Sequence, residues 1–188
     1  MTVTTLDPIT ALIVVDLQKG IVSVPTVTPI DGVVQNAAAL AASFRRHSLP
    51  VVLVTVEGGA PGRTETPRPA AGVTRPPSWA DLVQELDQQP TDLTMVKRTW
   101  GAFTGTDLDQ RLKSLGVTQV VVTGIATSAG VESTARHAHE NGYHVTLATD
   151  AMTDRKAETH HNSLTRIFPR IGETGTTAEI ISLLDSRE

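Results

Sequence analysis

The sequence predicts a three-layer, doubly wound α/β domain, with six mostly parallel strands and helices on both faces. Two patterns carry that prediction. Short, near-continuous Val/Ile/Leu runs recur along the chain, as strands buried on both faces require. Amphipathic helical stretches separate them, the rhythm of a parallel sheet wound by crossover helices. At 188 residues the chain is long enough for one substantial core, so a single domain over 1–188 is expected.

The elements follow in order. The run ALIVV at 11–15 is the first strand, and a helix is expected over 32–48, where the alanines of 37–42 favour helix and close packing. The second strand is VVLVTV at 51–56. The stretch 57–78 breaks the rhythm with Gly, Pro, Arg and Thr, and its prolines exclude both helix and central strand. A loop that long inside a compact domain is read as a lid or an oligomer-contact arm, with a solvated excursion as the alternative. Helix is expected again over 79–88, strand over 93–96, helix over 106–115 and strand over 119–123. The remainder reads as helix 130–142, strand 144–149, helix 157–167, strand 170–173 and helix 176–185.

Composition excludes several function classes. Charged residues are 19% and hydrophobic residues 39%, which fits a globular rather than a disordered chain. The net charge is -4 and no Lys/Arg-rich run exists, so no nucleic-acid partner is expected. No apolar stretch reaches the ~20 residues of a membrane span, and the N-terminus lacks the pattern of a signal peptide, so no membrane association is expected. The chain has no cysteine, which removes disulfides and thiolate chemistry and suits a reducing cytoplasm.

In doubly wound sheets ligands bind beyond the carboxyl ends of the strands. Asp16, Glu57, Lys97, the 124–130 turn and Asp150 lie just past predicted strand ends. Asp16 closes ALIVVD; partial burial there raises a carboxyl pKa and a nearby cation lowers it, so it is a candidate general acid or base. The alternative is a structural acid bracing a turn. Lys97 opens KRTWGAF, where Arg98, Trp100 and Phe103 combine cation and aromatic surface suited to a small, unsaturated acid. Core packing of Trp100 and Phe103, and a solvated Arg98, are the alternatives. In the turn, Ile125, Ala126, Thr127, Ser128, Ala129 and Gly130 lead from strand to helix, aiming N–H groups at the crevice. Those groups suit an oxyanion or a substrate carboxylate; ordinary helix capping by Thr127 or Ser128 is the alternative. His137 and His139, like His160 and His161, diverge on helical spacing, so no metal site is expected from them.

Taken together, ALIVVDLQ, VKRTWGAF, GIATSAGVESTAR at 124–136 and HVTLATDAMTD resemble the isochorismatase-like hydrolase superfamily from about residue 11 to 184. The resemblance implies a Rossmann-like α/β fold, a homo-oligomer (dimer or tetramer) and a catalytic Asp, Lys and Cys. Asp16 and Lys97 match the first two, and Gly130 stands at the position of the nucleophilic cysteine. It also implies substrate-binding roles for Gln18, Arg98, Trp100, Phe103 and the 125–129 turn, with a non-proline cis peptide at Ile125–Ala126. The Asp-x-His metal pair of nicotinamidase-like members has no counterpart in TVEGGAPGR, so no metal and no cofactor are expected.

A glycine cannot attack a carbonyl, and no base is aimed at Ser128. True isochorismatases are the branch that works without the thiol. The resemblance therefore implies a cofactor-free hydrolase of a small acidic vinyl ether, with Asp16 protonating the double bond. Two alternatives stay open: a binding protein that kept the pocket without turnover, and an amidohydrolase disabled at Gly130.

Overall fold

The computed structural model describes residues 2–65 and 75–187. Six strands form one sheet in the order β3-β2-β1-β4-β5-β6. They are β1 (Thr10–Val15), β2 (Val51–Val56), β3 (Leu93–Lys97), β4 (Gln119–Ile125), β5 (His144–Thr153) and β6 (Glu173–Gly175). Every adjacent pair is parallel. The strand order reverses between β1 and β4, which pair from Thr10↔Gln119 to Val15↔Gly124. That reversal is the topological switch point, where such sheets open a crevice.

Alternate residues of the central strands feed two cores. Leu12, Val14 and Leu53 pack with Val33, Ala37, Leu40 and Phe44 of α2 (Ile30–Arg46) and with Ile180 and Leu184 of α6 (Thr177–Asp185). Ile13, Val15, Val52 and Val122 pack on the other face with α3 (Leu108–Ser114) and α4 (Glu132–Glu140). This is the period-two alternation of a sheet covered on both sides. Among the described residues no helix is long and apolar enough to cross a membrane.

Four expectations need correction. The helix expected over 79–88 is two 3-10 turns, Pro77–Ala80 and Gln84–Leu86, because the Val83 N–H bonds back to the Leu17 carbonyl and Leu82 bridges Gln18. Strand β6 lies at Glu173–Gly175 rather than 170–173, since Pro169 and Arg170 belong to a 3-10 turn. Strand β5 runs past residue 149 to Thr153, resuming its pairing with β4 after a register shift. Asp150 is therefore inside β5, where its carboxylate caps α6 by accepting from the Thr177 N–H at 2.7 Å and hydroxyl at 2.8 Å. Residues 66–74 of the lid or arm expected over 57–78 lie outside the described residues. Its return, at Trp79, packs over Gly20 at the start of α1 (Lys19–Val22).

Candidate active site

Asp16 is the first residue past β1 and is 6% exposed. Its backbone is left-handed (φ 56°), a region Asp tolerates better than most residues and one that recurs at functional sites. The Asp16 N–H holds the turn to the Val54 carbonyl at 2.9 Å. Gly124 makes the close approach possible from the other side. Its φ is 120°, and a Cβ there would collide with the Val15 carbonyl, so only glycine lets β4 end beside Asp16.

Lys97 closes β3, two strands away, and is 2% exposed. Its Nζ donates to Asp16 Oδ2 at 2.7 Å and to the Thr99 carbonyl at 3.2 Å. The third ammonium proton has no acceptor among the described residues. Burial is the largest influence on Asp16 and raises its pKa; the charge and hydrogen bond of Lys97 lower it; the outcome is about 6. Asp16 Oδ1 is buried without a hydrogen-bond partner. With Oδ2 accepting from Lys97, the proton of the neutral acid resides on Oδ1. A carboxyl near 6 with an unpartnered oxygen has the chemistry that general acid catalysis requires.

Gly130 flanks the same carboxylate. A Cβ there would lie 3.0 Å from Val15 Cγ1, 3.2 Å from Asp16 Oδ2 and 3.4 Å from the Ile125 carbonyl oxygen. The sequence-expected triad positions Asp16, Lys97 and Gly130 are thus brought together. The Ile125–Ala126 peptide bond is cis. Residues Thr127–Val131 form a π-helical turn leading into α4.

The anion cradle expected from this turn is narrower than its sequence suggests. The Ala129 and Val131 N–H groups bond to the Ala126 carbonyl, and the Ser128 N–H donates to Asp154 Oδ2 at 2.7 Å. Thr127 is fully buried, with its hydroxyl 2.8 Å from His160 Nδ1.

Two expected contact residues are engaged in other contacts. Gln18 is fully buried; its Oε1 accepts from the Val56 N–H at 2.7 Å and its Nε2 donates to the Val56 and Trp79 carbonyls. The amide is therefore a brace between β2 and the 77–80 turn. Phe103 packs in the second core against Tyr143, ring centroids 6.0 Å apart. Tyr143 precedes β5, at the end of the sheet opposite Asp16. Arg98 is exposed along Gly58, and Trp100 is 64% exposed beside Thr99. Glu57 is exposed and touches the site only through its N–H on the Lys97 carbonyl. Among the described residues no three His, Asp or Glu side chains gather in a metal-binding group.

Sequence reasoning missed Asp154 and His160. Asp154 is 4% exposed, and burial would raise it, but backbone N–H donors from Ser128, Arg155 and Lys156 outweigh burial and hold it below the ordinary carboxylate range. Had β5 been run on to Thr153, Asp154 would have stood out as the acid past a strand end. Helical spacing sends His160 and His161 in different directions without saying which is buried; His161 is exposed, but His160 turns inward.

An Isochorismatase domain model matches residues 10–179. The chain is 44% identical over 180 residues to the uncharacterized isochorismatase family protein YwoC of Bacillus subtilis, covering 92% of each. It is 27% identical over 181 residues to enterobactin synthase component B of Escherichia coli, covering 91% of this chain and 62% of that protein. The solved structure of an isochorismatase family protein from Burkholderia thailandensis superposes with a TM-score of 0.91 at 39% identity, covering 97% of this chain and 98% of that one. The sheet order, the Asp16–Lys97 pair and these likenesses agree: the chain belongs to the isochorismatase-like family of hydrolases.

Proposed function

We propose that the chain hydrolyses the vinyl ether of a small acidic molecule, isochorismate being the most concrete case. The observation that carries this reading is the buried, unpartnered Oδ1 of Asp16. A carboxylic acid that keeps its proton near neutral pH is what protonation of an enol ether requires. A covalent route would need a nucleophile beside it, and Gly130 supplies none.

The steps balance with water as the only co-reactant. Asp16 Oδ1–H donates its proton to the terminal carbon of the enol ether, turning =CH2 into CH3 and the ether carbon into an oxocarbenium ion. Water adds to that carbon, and the Asp16 carboxylate takes the proton released. The hemiketal collapses: its hydroxyl becomes the ketone C=O as the bond between that carbon and the ether oxygen breaks, and the hydroxyl proton passes to the departing oxygen, releasing pyruvate and an alcohol. Lys97 contributes in two ways: it holds Oδ2, so that the proton sits on Oδ1, and its third N–H is available to a substrate carboxylate. The same ammonium favours the ionised acid; burial overrides it, leaving Asp16 at about 6.

Turnover of a vinyl ether in D2O tests this directly. Proton transfer from Asp16, whose acid proton exchanges with solvent, places one deuterium in the methyl group of the pyruvate. Pyruvate with an undeuterated methyl, or no pyruvate from any vinyl ether of this class, would overturn the reading.

A further inference from the structure

Two side chains outside the reaction just described converge on the 126–131 turn. Asp154, at the end of β5, accepts from the Ser128 N–H through Oδ2 and from the Arg155 N–H through Oδ1, each at 2.7 Å. His160, on α5 (Ala157–Asn162), meets the buried hydroxyl of Thr127 through Nδ1 at 2.8 Å. The two contacts come from different elements and grip adjacent residues of one turn. That turn carries Gly130, whose absent side chain would lie 3.2 Å from Asp16 Oδ2.

We infer that Asp154 and His160 are positioning residues that clamp the 126–130 turn against Asp16 and so keep the flank of the acid closed and dry. Neither touches Asp16, so they act through the turn. The polarity of the clamp is consistent with its surroundings. Asp154 stays ionised and accepts backbone donors at the start of the turn, where N–H groups lack helical partners. Burial lowers the His160 pKa, opposed by the charge of Asp154 and aided by that of His161, which favours the neutral ring, and Nδ1 shares one hydrogen bond with the Thr127 hydroxyl. Loosening the turn admits water beside Asp16. Burial is what holds that acid up, so hydration lowers its pKa, with Lys97 as the charged group facing it.

The role of the clamp in catalysis rests on the vinyl-ether reading; its existence does not. The test uses the full-length protein with His160→Ala, His160→Asn and Asp154→Asn. Hydrogen exchange of peptides spanning 126–132 is read beside steady-state kinetics on isochorismate. His160→Ala is expected to speed exchange in those peptides and lower kcat about tenfold or more, with KM changed less than about threefold. It is also expected to move the descending limb of the pH–rate profile roughly half a unit or more to lower pH. His160→Asn, whose amide keeps a hydrogen-bonding group for Thr127, is expected to restore a good part of the rate. Faster exchange in a family of proteins that releases no pyruvate, wild type included, would uphold the clamp and sink the reaction assigned to Asp16. Unchanged exchange and an unchanged pH limb in both His160→Ala and Asp154→Asn would overturn the clamp.

Discussion

Replacing Lys97 by Met should widen, not narrow, the pH range in which Asp16 acts as an acid. Lys97 is 2% exposed, so Met is chosen to keep the unbranched stem and avoid the cavity an alanine would leave. In the wild type, burial raises Asp16 and the ammonium 2.7 Å away lowers it, giving about 6. An opposite charge that close lowers a carboxyl by roughly 1–3 units. Without it Asp16 moves to about 7–9, the range that follows from that interaction. In the proposed reaction the neutral acid is the active form, so kcat/KM should be high below the pKa and fall above it. The wild-type limb therefore lies at about 6, and in Lys97→Met it moves up by at least ~1 unit. At pH 7.5 the protonated fraction rises from about 3% to roughly a quarter or more, as the two pKa values dictate. KM is expected to rise, because the third ammonium N–H no longer meets the substrate carboxylate. The assay is pyruvate release from isochorismate between pH 5 and 9. A limb that stays at the wild-type position, or moves to lower pH, would refute the placing of Asp16 as a buried acid held down by Lys97.

Three further outcomes follow from the same geometry. The Asp16 pKa in the folded state, about 6, lies above the ordinary 3.8, so the stability this group contributes is complete below about 3.8 and lost as pH rises through about 6. Measured by chemical denaturation, wild type relative to Asp16→Asn should therefore lose about 2 kcal/mol between pH 4 and pH 7, and a pH-independent difference would contradict it. Gly130→Cys adds a Cβ that crowds Val15 Cγ1 and Asp16 Oδ2 without left-handed strain; the variant should fold at a cost of about 1–2 kcal/mol, and its vinyl-ether turnover should drop about tenfold or more as the side chain fills the flank of the acid. Equal turnover by the two proteins would show that the space beside Gly130 is not used. Gln18→Ala strips the Val56 N–H of its side-chain acceptor and leaves a buried gap between β2 and the 77–80 turn, so unfolding should become easier by about 2–3 kcal/mol; a change below about 0.5 kcal/mol would mean the amide braces nothing.

The central sheet was readable because its strands are buried on both faces. The runs around Leu12, Val52 and Val121 have no polar face to obscure them, and all three residues are fully buried. Where tertiary contacts override local preference, the reading failed. Residues 82–83 pair with Leu17 and Gln18 instead of closing a helix, and β6 is placed by Gly172 and Gly175, whose missing side chains make room for Val145 and Val3. The buried Asp16 and its cation Lys97 were legible because each stands at a strand end. The exact partners of Gln18 and Phe103 were not, since an amide or a phenyl beside a crevice serves a brace or a core as well as a ligand. Asp154 was hidden by Asp150, whose charge marks an apparent end of β5 and yet caps α6 from within the strand. His160 carries no sequence signal that separates it from His161; only the fold turns one inward to Thr127.

Comparing pyruvate release from isochorismate by the wild type and by Asp16→Ala near pH 6 tests the central claim most directly. Sustained release by the wild type is expected, with a loss of at least about 100-fold in Asp16→Ala, the contribution of a positioned general acid. Release by Asp16→Ala at the wild-type rate, or none from the wild type, would contradict it.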